Sequence, residues 1–277
     1  MKEFMTNTIL SGLNFPEGLF FDSLGNLWFV EILGGNLSRW DGQRLEQFNV
    51  DGTPNGAIID KDGLIWFCDS ERSKIRTFNP NTKVFTDICS ETINREKLKR
   101  PNDLIFDPYG NILFSDHSDG RKEFISTFNV LPKGGTQAKV ISSGKLFANG
   151  LALMNAGKTL VYAETYNQQL WIADWNAEKL ELINERPFAK AGNGPWGPDG
   201  IAFDEYENLY VTVFNEHLIN IYSKTGNLIN HIHTEGSRPT SCAFDPSGKL
   251  GLVVTEAERG EIVFYPSLGK GLTIFKG

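Results

Sequence analysis

An internal repeat is the feature that most constrains the fold, because one hairpin pattern occurs six times between residues 16 and 256. Each copy has a short apolar strand, a polar reversal and a second apolar strand, which is typical of a β-hairpin. The copies are PEGLFFDSLGNLWFVE, PNGAIIDKDGLIWFCD, PNDLIFDPYGNILFSD, ANGLALMNAGKTLVYAE, PDGIAFDEYENLYVTVF and PTSCAFDPSGKLGLVVTE. They start roughly 40–50 residues apart, the period of propeller blades.

Two further strand-like segments follow most of the hairpins. In the first copy they are residues 36–40 and 45–49, joined by Asp41-Gly42, a strong turn signal. The corresponding segments are 74–79 and 84–88 in copy two, 169–175 and 180–184 in copy four, and 218–223 and 228–233 in copy five. Four short antiparallel strands per repeat make a propeller blade. We therefore predict an all-β, six-bladed β-propeller that forms a single domain over residues 1–277.

No long helix is expected, and residues 90–99 could form at most a brief helical turn. The last blade has its third strand at 261–265 and needs an outer strand from one chain end, either 4–10 or 272–276. We favour the N-terminal segment because it would tie the two chain ends together and remove a pair of exposed sheet edges.

Composition narrows the cellular setting and the partners. The 277 residues are 40% apolar, with 20 Phe and 6 Trp, which suffices for a packed core. A net charge of −7 gives no global attraction for nucleic acid or an anionic membrane, so neither is predicted as a partner. The three cysteines form no CxxC motif, and the N-terminus lacks a secretory pattern, so we expect a cytoplasmic protein. Cys68 and Cys242 lie on repeat strands and are expected in the core.

The second residue of each repeat, here called the opening residue, is a candidate ligand. The first strand of every blade lines the central channel of a propeller, so the six opening residues should form a ring at one mouth. This polar ring comprises Glu17, Asn55, Asn102, Asn149, Asp199 and Thr240. Its oxygen donors suit Ca²⁺, Mn²⁺ or Mg²⁺ better than zinc or copper. Asn and Asp are also common turn residues, but the change of residue type at equivalent positions favours a shared ligand.

A second set of acids is predicted to be structural. An Asp or Glu closes the second strand in all copies but the fifth, which has Val213. These closing acids are Glu31, Asp69, Asp116, Glu164 and Glu256. Their constant offset predicts turn caps or blade-to-blade hydrogen bonds.

Among the four histidines, only His117 is a candidate to reach the mouth, since His231 and His233 alternate on an outer strand and His217 lies in a turn. The sequence lacks a GxSxG elbow, an HExxH motif and a phosphate loop. Nucleophilic Ser-His-Asp chemistry is therefore disfavoured.

At these residues the chain resembles the SMP-30/gluconolactonase/luciferin-regenerating-enzyme (LRE) family of six-bladed propellers. The most specific motifs are Arg100-Pro-Asn-Asp103, Ala148-Asn-Gly-Leu-Ala152 followed by Ala163-Glu-Thr-Tyr166, and Pro198-Asp-Gly-Ile201. The resemblance implies a divalent cation, usually calcium, held by Glu17, Asn102, Asn149 and Asp199, with Mn²⁺, Mg²⁺ and Zn²⁺ as candidate substitutes. It also implies that Arg100 contacts the substrate.

The activity implied by the resemblance is hydrolysis of a sugar lactone such as gluconolactone. The cation would polarise the carbonyl, and Asp199 or a metal-bound water would supply the nucleophile. The candidate substrate contacts are Arg100, Asn102, Asn55, Thr240 and His117. The expected partner is a small lactone, and the chain is expected to be a monomer or a weak homo-oligomer.

Two alternatives remain open at this stage. One is a non-catalytic, NHL-like interaction propeller, which would need an exposed apolar or basic mouth. The other is a metal-dependent lyase of the streptogramin-lyase type, which would release an unsaturated product.

Overall fold

Almost all of the regular backbone is β-strand. A computed structural model describes residues 4–277, and its helices are two single 3₁₀ turns, Thr165–Asn167 and Pro266–Leu268. Residues 90–99 form a loop closed by a bridge between Glu91 and Lys97. The prediction of an all-β chain is confirmed. Within residues 4–277, no helix has the length and apolar character required to cross a membrane.

The strands group into six antiparallel sheets of four strands each. Strand β1 is Asn7–Leu10. Blade one contains β2 (Pro16–Phe21), β3 (Leu27–Glu31), β4 (Asn36–Trp40) and β5 (Leu45–Asn49). Blade two contains β6 (Pro54–Ile59), β7 (Ile65–Asp69), β8 (Lys74–Asn79) and β9 (Val84–Cys89). Blade three contains β10 (Pro101–Phe106), β11 (Ile112–Asp116), β12 (Ser126–Leu131) and β13 (Lys139–Lys145).

The remaining blades repeat the same order. Blade four contains β14 (Ala148–Met154), β15 (Thr159–Glu164), β16 (Gln169–Asn176) and β17 (Glu181–Lys190). Blade five contains β18 (Pro198–Phe203), β19 (Leu209–Val213), β20 (Leu218–Tyr222) and β21 (Leu228–His233). Blade six contains β22 (Pro239–Phe244), β23 (Leu252–Glu256) and β24 (Glu261–Tyr265).

Blade six is completed by the N-terminal strand. Strand β1 pairs antiparallel with β24, with Asn7 opposite Phe264, so the sheet order is β1-β24-β23-β22. The N-terminal choice is therefore confirmed, and pairing removes the exposed edge that β24 would otherwise present.

The outer strand of blade four is longer than predicted. It runs from Glu181 to Lys190, whereas the sequence pattern ended it at residue 184. All of its residues are half-buried or exposed. An outermost strand packs weakly on the core, so its residues need not alternate between apolar and polar, and the polar run at 184–186 does not end the strand.

The closing acids are structural, as predicted. The carboxylate of Asp116 accepts hydrogen bonds from the backbone N–H groups of Lys99, Arg100 and Ser118 at 2.8, 2.9 and 2.9 Å. The carboxylate of Glu256 likewise accepts hydrogen bonds from the backbone N–H groups of Arg238, before its hairpin, and Arg259, after it. Each acid therefore satisfies backbone donors that the strands cannot pair.

In blades one, two, four and five, neighbouring inner strands pack too closely for a side chain at the third position of the repeat. A Cβ added to Gly150 would lie 2.3 Å from the carbonyl oxygen of Asp199, and one added to Gly56 would lie 2.6 Å from Cα of Asp103. Glycine also fills this position in blades one and five, while Asp103 and Ser241 fill it in blades three and six. Because glycine lacks a Cβ, the backbone of one blade rests against the opening residue of the next.

The C-terminal segment crosses the opposite end of the channel. Leu272 donates its N–H to the carbonyl of Phe203 at 3.1 Å, and Lys276 accepts from the N–H of Lys61 at 2.7 Å. Residues 271–275 line the channel together with the inner strands of all six blades. The segment that was the alternative outer strand is therefore a strap that covers the far end.

The close strand contact predicts a strong effect of Gly150→Ala. The added methyl would press on the backbone of blade five, and overpacking of this kind costs about 1–3 kcal/mol. We expect the free energy of unfolding in urea to fall by about that amount. Ser241→Ala, at the same repeat position in blade six, is the control and should change it by less than about 0.5 kcal/mol. Equal stabilities for Gly150→Ala and the wild type would contradict this account of blade packing.

Candidate active site

A cavity opens at the mouth where the first strands begin. Its volume is about 290 Å³. The sequence-predicted residues that line it are Glu17, Asn55, Arg100, Asn102, His117 and Asp199. Four of the six polar-ring residues thus face one space, together with both predicted substrate contacts from outside the ring.

A β-bulge at the start of each first strand positions the ring. In all six blades the pairing register between the first and second strands shifts directly after the opening residue or its neighbour. A bulge breaks the alternation of the strand and re-aims a side chain. The repeat therefore builds six equivalent points at which a side chain can turn toward the mouth.

Within residues 4–277, the two acids of the ring are buried without a cationic partner. Glu17 and Asp199 are 9% and 8% exposed. Burial raises the pKa of Glu17 well above its usual range, and the nearby charge of Asp199 raises it further. Burial likewise raises the pKa of Asp199, and Asp103 adds to the effect. Two carboxylates in one desolvated site disfavour each other's ionisation unless a cation balances them.

Amide groups surround these carboxylates. Asn149 donates from Nδ2 to the hydroxyl of Thr165 at 3.0 Å, and its hydrogen bond to Asp199 lowers the pKa of that acid. Asn149 is 6% exposed and is not one of the residues that line the cavity. With its NH₂ group engaged, its Oδ1 atom remains an acceptor. Asn55 and Asn102 belong to the cavity wall itself.

Thr240 has a different environment from the rest of the ring. It is fully buried, and its hydroxyl donates to the carbonyl oxygen of Pro16 at 2.8 Å. This hydrogen bond ties blade six to blade one. Thr240 is not part of the cavity wall, and the predicted contact between Thr240 and a substrate stays a prediction.

Arg100 is exposed at the rim, and its backbone is held by Asp116. The neighbouring His117 is buried, and its ring stacks on Phe147 with a centroid distance of 4.3 Å. The Nδ1 atom of His117 accepts the backbone N–H of Asp119 at 3.0 Å. A neutral His117 therefore carries its proton on Nε2 and offers a hydrogen-bond donor to the cavity.

The donor set fits a hard divalent cation. It contains two carboxylates and neutral amide oxygens, the ligands that Ca²⁺ prefers. No group of three His, Cys, Asp or Glu side chains able to hold a metal occurs in residues 4–277. A cation at this mouth would therefore depend on Asn oxygens as well as on Glu17 and Asp199.

Comparison with known proteins identifies the family. The family model for the SMP-30/gluconolactonase/LRE-like region matches residues 15–258. The chain belongs to this family. The match begins two residues before Glu17 and ends two residues after the last closing acid, so it contains all six hairpins.

The sequence and structural relatives agree with this assignment. The chain is 26% identical to lactonase drp35 of Staphylococcus haemolyticus over 90% of this chain and 82% of that protein. It is also similar to the calcium-binding protein regucalcin of Agrobacterium tumefaciens, with a TM-score of 0.84 at 16% identity and coverage of 99% and 97% of the two chains. A gluconolactonase of Xanthomonas campestris matches with a TM-score of 0.81 at 20% identity over 93% and 88% of the chains.

The sequence prediction missed the aromatic part of the site. Five aromatic side chains line the same cavity, namely Phe15, Phe147, Tyr166, Trp196 and Phe214. The repeat could have indicated several of them, since Phe15 and Phe147 lie two residues before ring positions, as Arg100 does. Phe214 directly follows a second strand, as His117 does.

The burial of His117 predicts a stability loss in acid. Burial lowers the pKa of His117 from 6.5 to about 4, and the charge of Arg100 also disfavours the protonated ring, while Asp116 and Asp119 partly oppose this. The unfolded chain takes up a proton below pH 6.5, whereas the folded chain does so only near pH 4. The contribution of His117 is therefore complete above pH 6.5 and is lost as the pH falls toward 4.

We expect the wild type to lose about 3 kcal/mol more unfolding free energy than His117→Gln between pH 7 and pH 4, measured by urea unfolding. His233→Gln, at an exposed histidine, is the control and should follow the wild type. Parallel pH curves for the wild type and His117→Gln would contradict a buried neutral His117.

Proposed function

We propose that the protein is a divalent-metal-dependent lactonase that opens a cyclic ester at the mouth of the propeller. The observation that carries this proposal is the pair of buried carboxylates, Glu17 and Asp199, which lack a cationic partner within residues 4–277. Family membership and the names of the relatives, lactonase and gluconolactonase, support the same reaction class.

Glu17, Asn102, Asn149 and Asp199 would hold the cation, with Ca²⁺ as the proposed ion. When bound, the ion supplies positive charge that balances the two acids and polarises an ester carbonyl. The name of the regucalcin relative, a calcium-binding protein, supports this choice. The oxygen-only donor set supports it independently.

Asp199 is the proposed general base. It is the second residue of β18 and lines the cavity, so its carboxylate would act on a water molecule bound there. A cation held by Asp199 would lower the pKa that burial raises, so Asp199 would act as the ionised carboxylate. Arg100, at the rim, would pair with the carboxylate of the ring-opened product.

An interaction propeller is the second candidate, since the aromatic side chains give this mouth part of the apolar surface that such a protein needs. The buried acids beneath them favour the hydrolase, because burying unpaired carboxylates lowers stability and has no use in an apolar docking surface.

Cation binding should stabilise the fold through Glu17. Ca²⁺ at about 100 times its dissociation constant adds about 2.7 kcal/mol to the free energy of unfolding. We expect this to raise Tm by several degrees, measured by calorimetry with and without chelator. Glu17→Gln should abolish the increase and also raise Tm in chelator, because it removes one of two repelling acids.

An exposed acid provides the control, and Glu205→Gln should behave as the wild type in both conditions. A Ca²⁺-dependent rise in the Tm of Glu17→Gln equal to that of the wild type would exclude Glu17 as a ligand.

Catalysis and metal binding can be separated by comparing Asp199→Asn with Asn149→Ala. Asp199→Asn keeps an oxygen donor but removes the basic group, so turnover at saturating Ca²⁺ should fall about 10²-fold or more. Asn149→Ala should weaken Ca²⁺ binding and recover most of its activity in excess Ca²⁺. The measurement is acid release from glucono-1,5-lactone and from γ-butyrolactone as a function of Ca²⁺ concentration.

Full recovery of Asp199→Asn in excess Ca²⁺ would limit Asp199 to ligation. Arg100→Ala should mainly raise KM, because it removes binding shared by the ground and transition states.

A further inference from the structure

The five aromatic side chains at the mouth form one continuous wall, here called the aromatic collar: Phe15, Phe147, Tyr166, Trp196 and Phe214. Ring centroids are 5.2 Å apart for Phe147–Tyr166 and for Tyr166–Trp196, 5.4 Å for Trp196–Phe214 and 6.4 Å for Phe214–Phe15. The first three separations and their tilted geometry are typical of favourable aromatic pairs. The collar spans blades four, five and one and lines the same cavity as Glu17 and Asp199.

The collar is maintained at a cost in backbone strain. Phe15 and Phe147 have φ angles of +60° and +66°. The left-handed region costs about 1–2 kcal/mol for a residue with a Cβ, and glycine would adopt it freely. The two phenylalanines occupy equivalent repeat positions and both face the cavity. The contribution of the side chains to the cavity wall, and not the backbone conformation, therefore explains why phenylalanine and not glycine occupies these two positions.

All five collar residues are only half-buried. Each keeps part of its apolar surface in water at the wall of one cavity. Contiguous apolar surface of this kind, combined with a few polar groups, marks a small-molecule site. A ligand that covers these rings would remove this apolar surface from water and would gain the corresponding hydrophobic free energy.

Most of the surface that this cavity exposes is apolar. The polar side chains against the collar are His117 and Arg121 at Phe147 and Arg238 over Phe214, and the collar itself carries only the hydroxyl of Tyr166 and the indole N–H of Trp196. A polyhydroxylated sugar ring against the phenylalanine rings would lose hydrogen bonds to water wherever these few groups do not replace them, at about 1–3 kcal/mol for each unpaired group. A flat apolar ring would lose none.

We propose that the collar is a subsite for a flat apolar ring, and that the preferred substrate is a lactone bearing an aryl group instead of a bare sugar lactone. This inference rests on the proposed lactonase function and replaces the sugar lactone expected from sequence. The reaction remains hydrolysis: water adds OH to the acyl carbon, the acyl C–O bond breaks, and the alcohol oxygen takes the proton, with no change in oxidation state.

The first test compares kcat/KM for three lactones on the Ca²⁺-loaded protein. γ-Phenyl-γ-butyrolactone and γ-butyrolactone share the reacting ring and an alkoxide leaving group, and glucono-1,5-lactone represents the sugar class. We expect the phenyl compound to exceed both others by about tenfold or more. Equal values, or a preference for the sugar lactone, would overturn the proposal.

A substitution in the collar tests which residues provide the preference. Trp196→Ala should reduce the ratio of kcat/KM for the phenyl lactone over γ-butyrolactone by about tenfold, mainly through KM. Phe214→Leu is the second variant, should Trp196→Ala fail to fold. Tyr206→Ala, at an exposed tyrosine outside the cavity, is the control and should retain the wild-type ratio. An unchanged ratio in folded Trp196→Ala would overturn the role of the collar.

Binding without chemistry separates this inference from the proposed function. 2-Phenyltetrahydrofuran has the aryl ring but no ester, and its binding can be measured in chelator by calorimetry and by tryptophan fluorescence. We expect binding to the wild type that is lost in Trp196→Ala. Binding of the ether by a protein that hydrolyses none of the lactones would uphold the collar and reject the lactonase. Hydrolysis of all three lactones without ether binding would reject the collar alone.

Discussion

The close approach of six inner strands around one axis is the constraint on which the rest of the structure depends. Where Gly56 and Gly150 meet the next blade, a single Cβ would collide with backbone atoms. This contact sets the separation of the blades and brings the opening residue of each strand within reach of its neighbours. The candidate site is therefore a consequence of how the propeller closes, since Glu17 and Asp199 belong to blades far apart in the chain.

The acids at the mouth belong to two sets, which differ in their hydrogen bonds. The closing acids, such as Asp116 and Glu256, accept several backbone N–H groups and hold the loops at the mouth. The ring acids, Glu17 and Asp199, have few such partners and strongly raised pKa values. The same residue type is structural where hydrogen bonds compensate its burial, and a candidate for function where they do not.

The two ends of the channel are built differently. Residues 271–275 cover one end, and the polar ring, Arg100 and the aromatic collar surround the other. The candidate site therefore lies at the mouth that residues 271–275 leave uncovered. Its cavity combines the two buried acids, Glu17 and Asp199, with the rings of the aromatic collar.

Repetition made much of this predictable from sequence: the blade count, the four-strand blades, the turn-capping role of Asp116 and the candidate ring all follow from one local pattern that recurs six times. Residues without a counterpart in the other repeats were not predictable. The environment of Thr240 depends on the closure of blade six onto Pro16, and Trp196 reaches the cavity from an irregular loop. Local periodicity determines strands and turns because both are short-range, whereas the convergence of side chains from distant blades depends on contacts that form only when the ring closes.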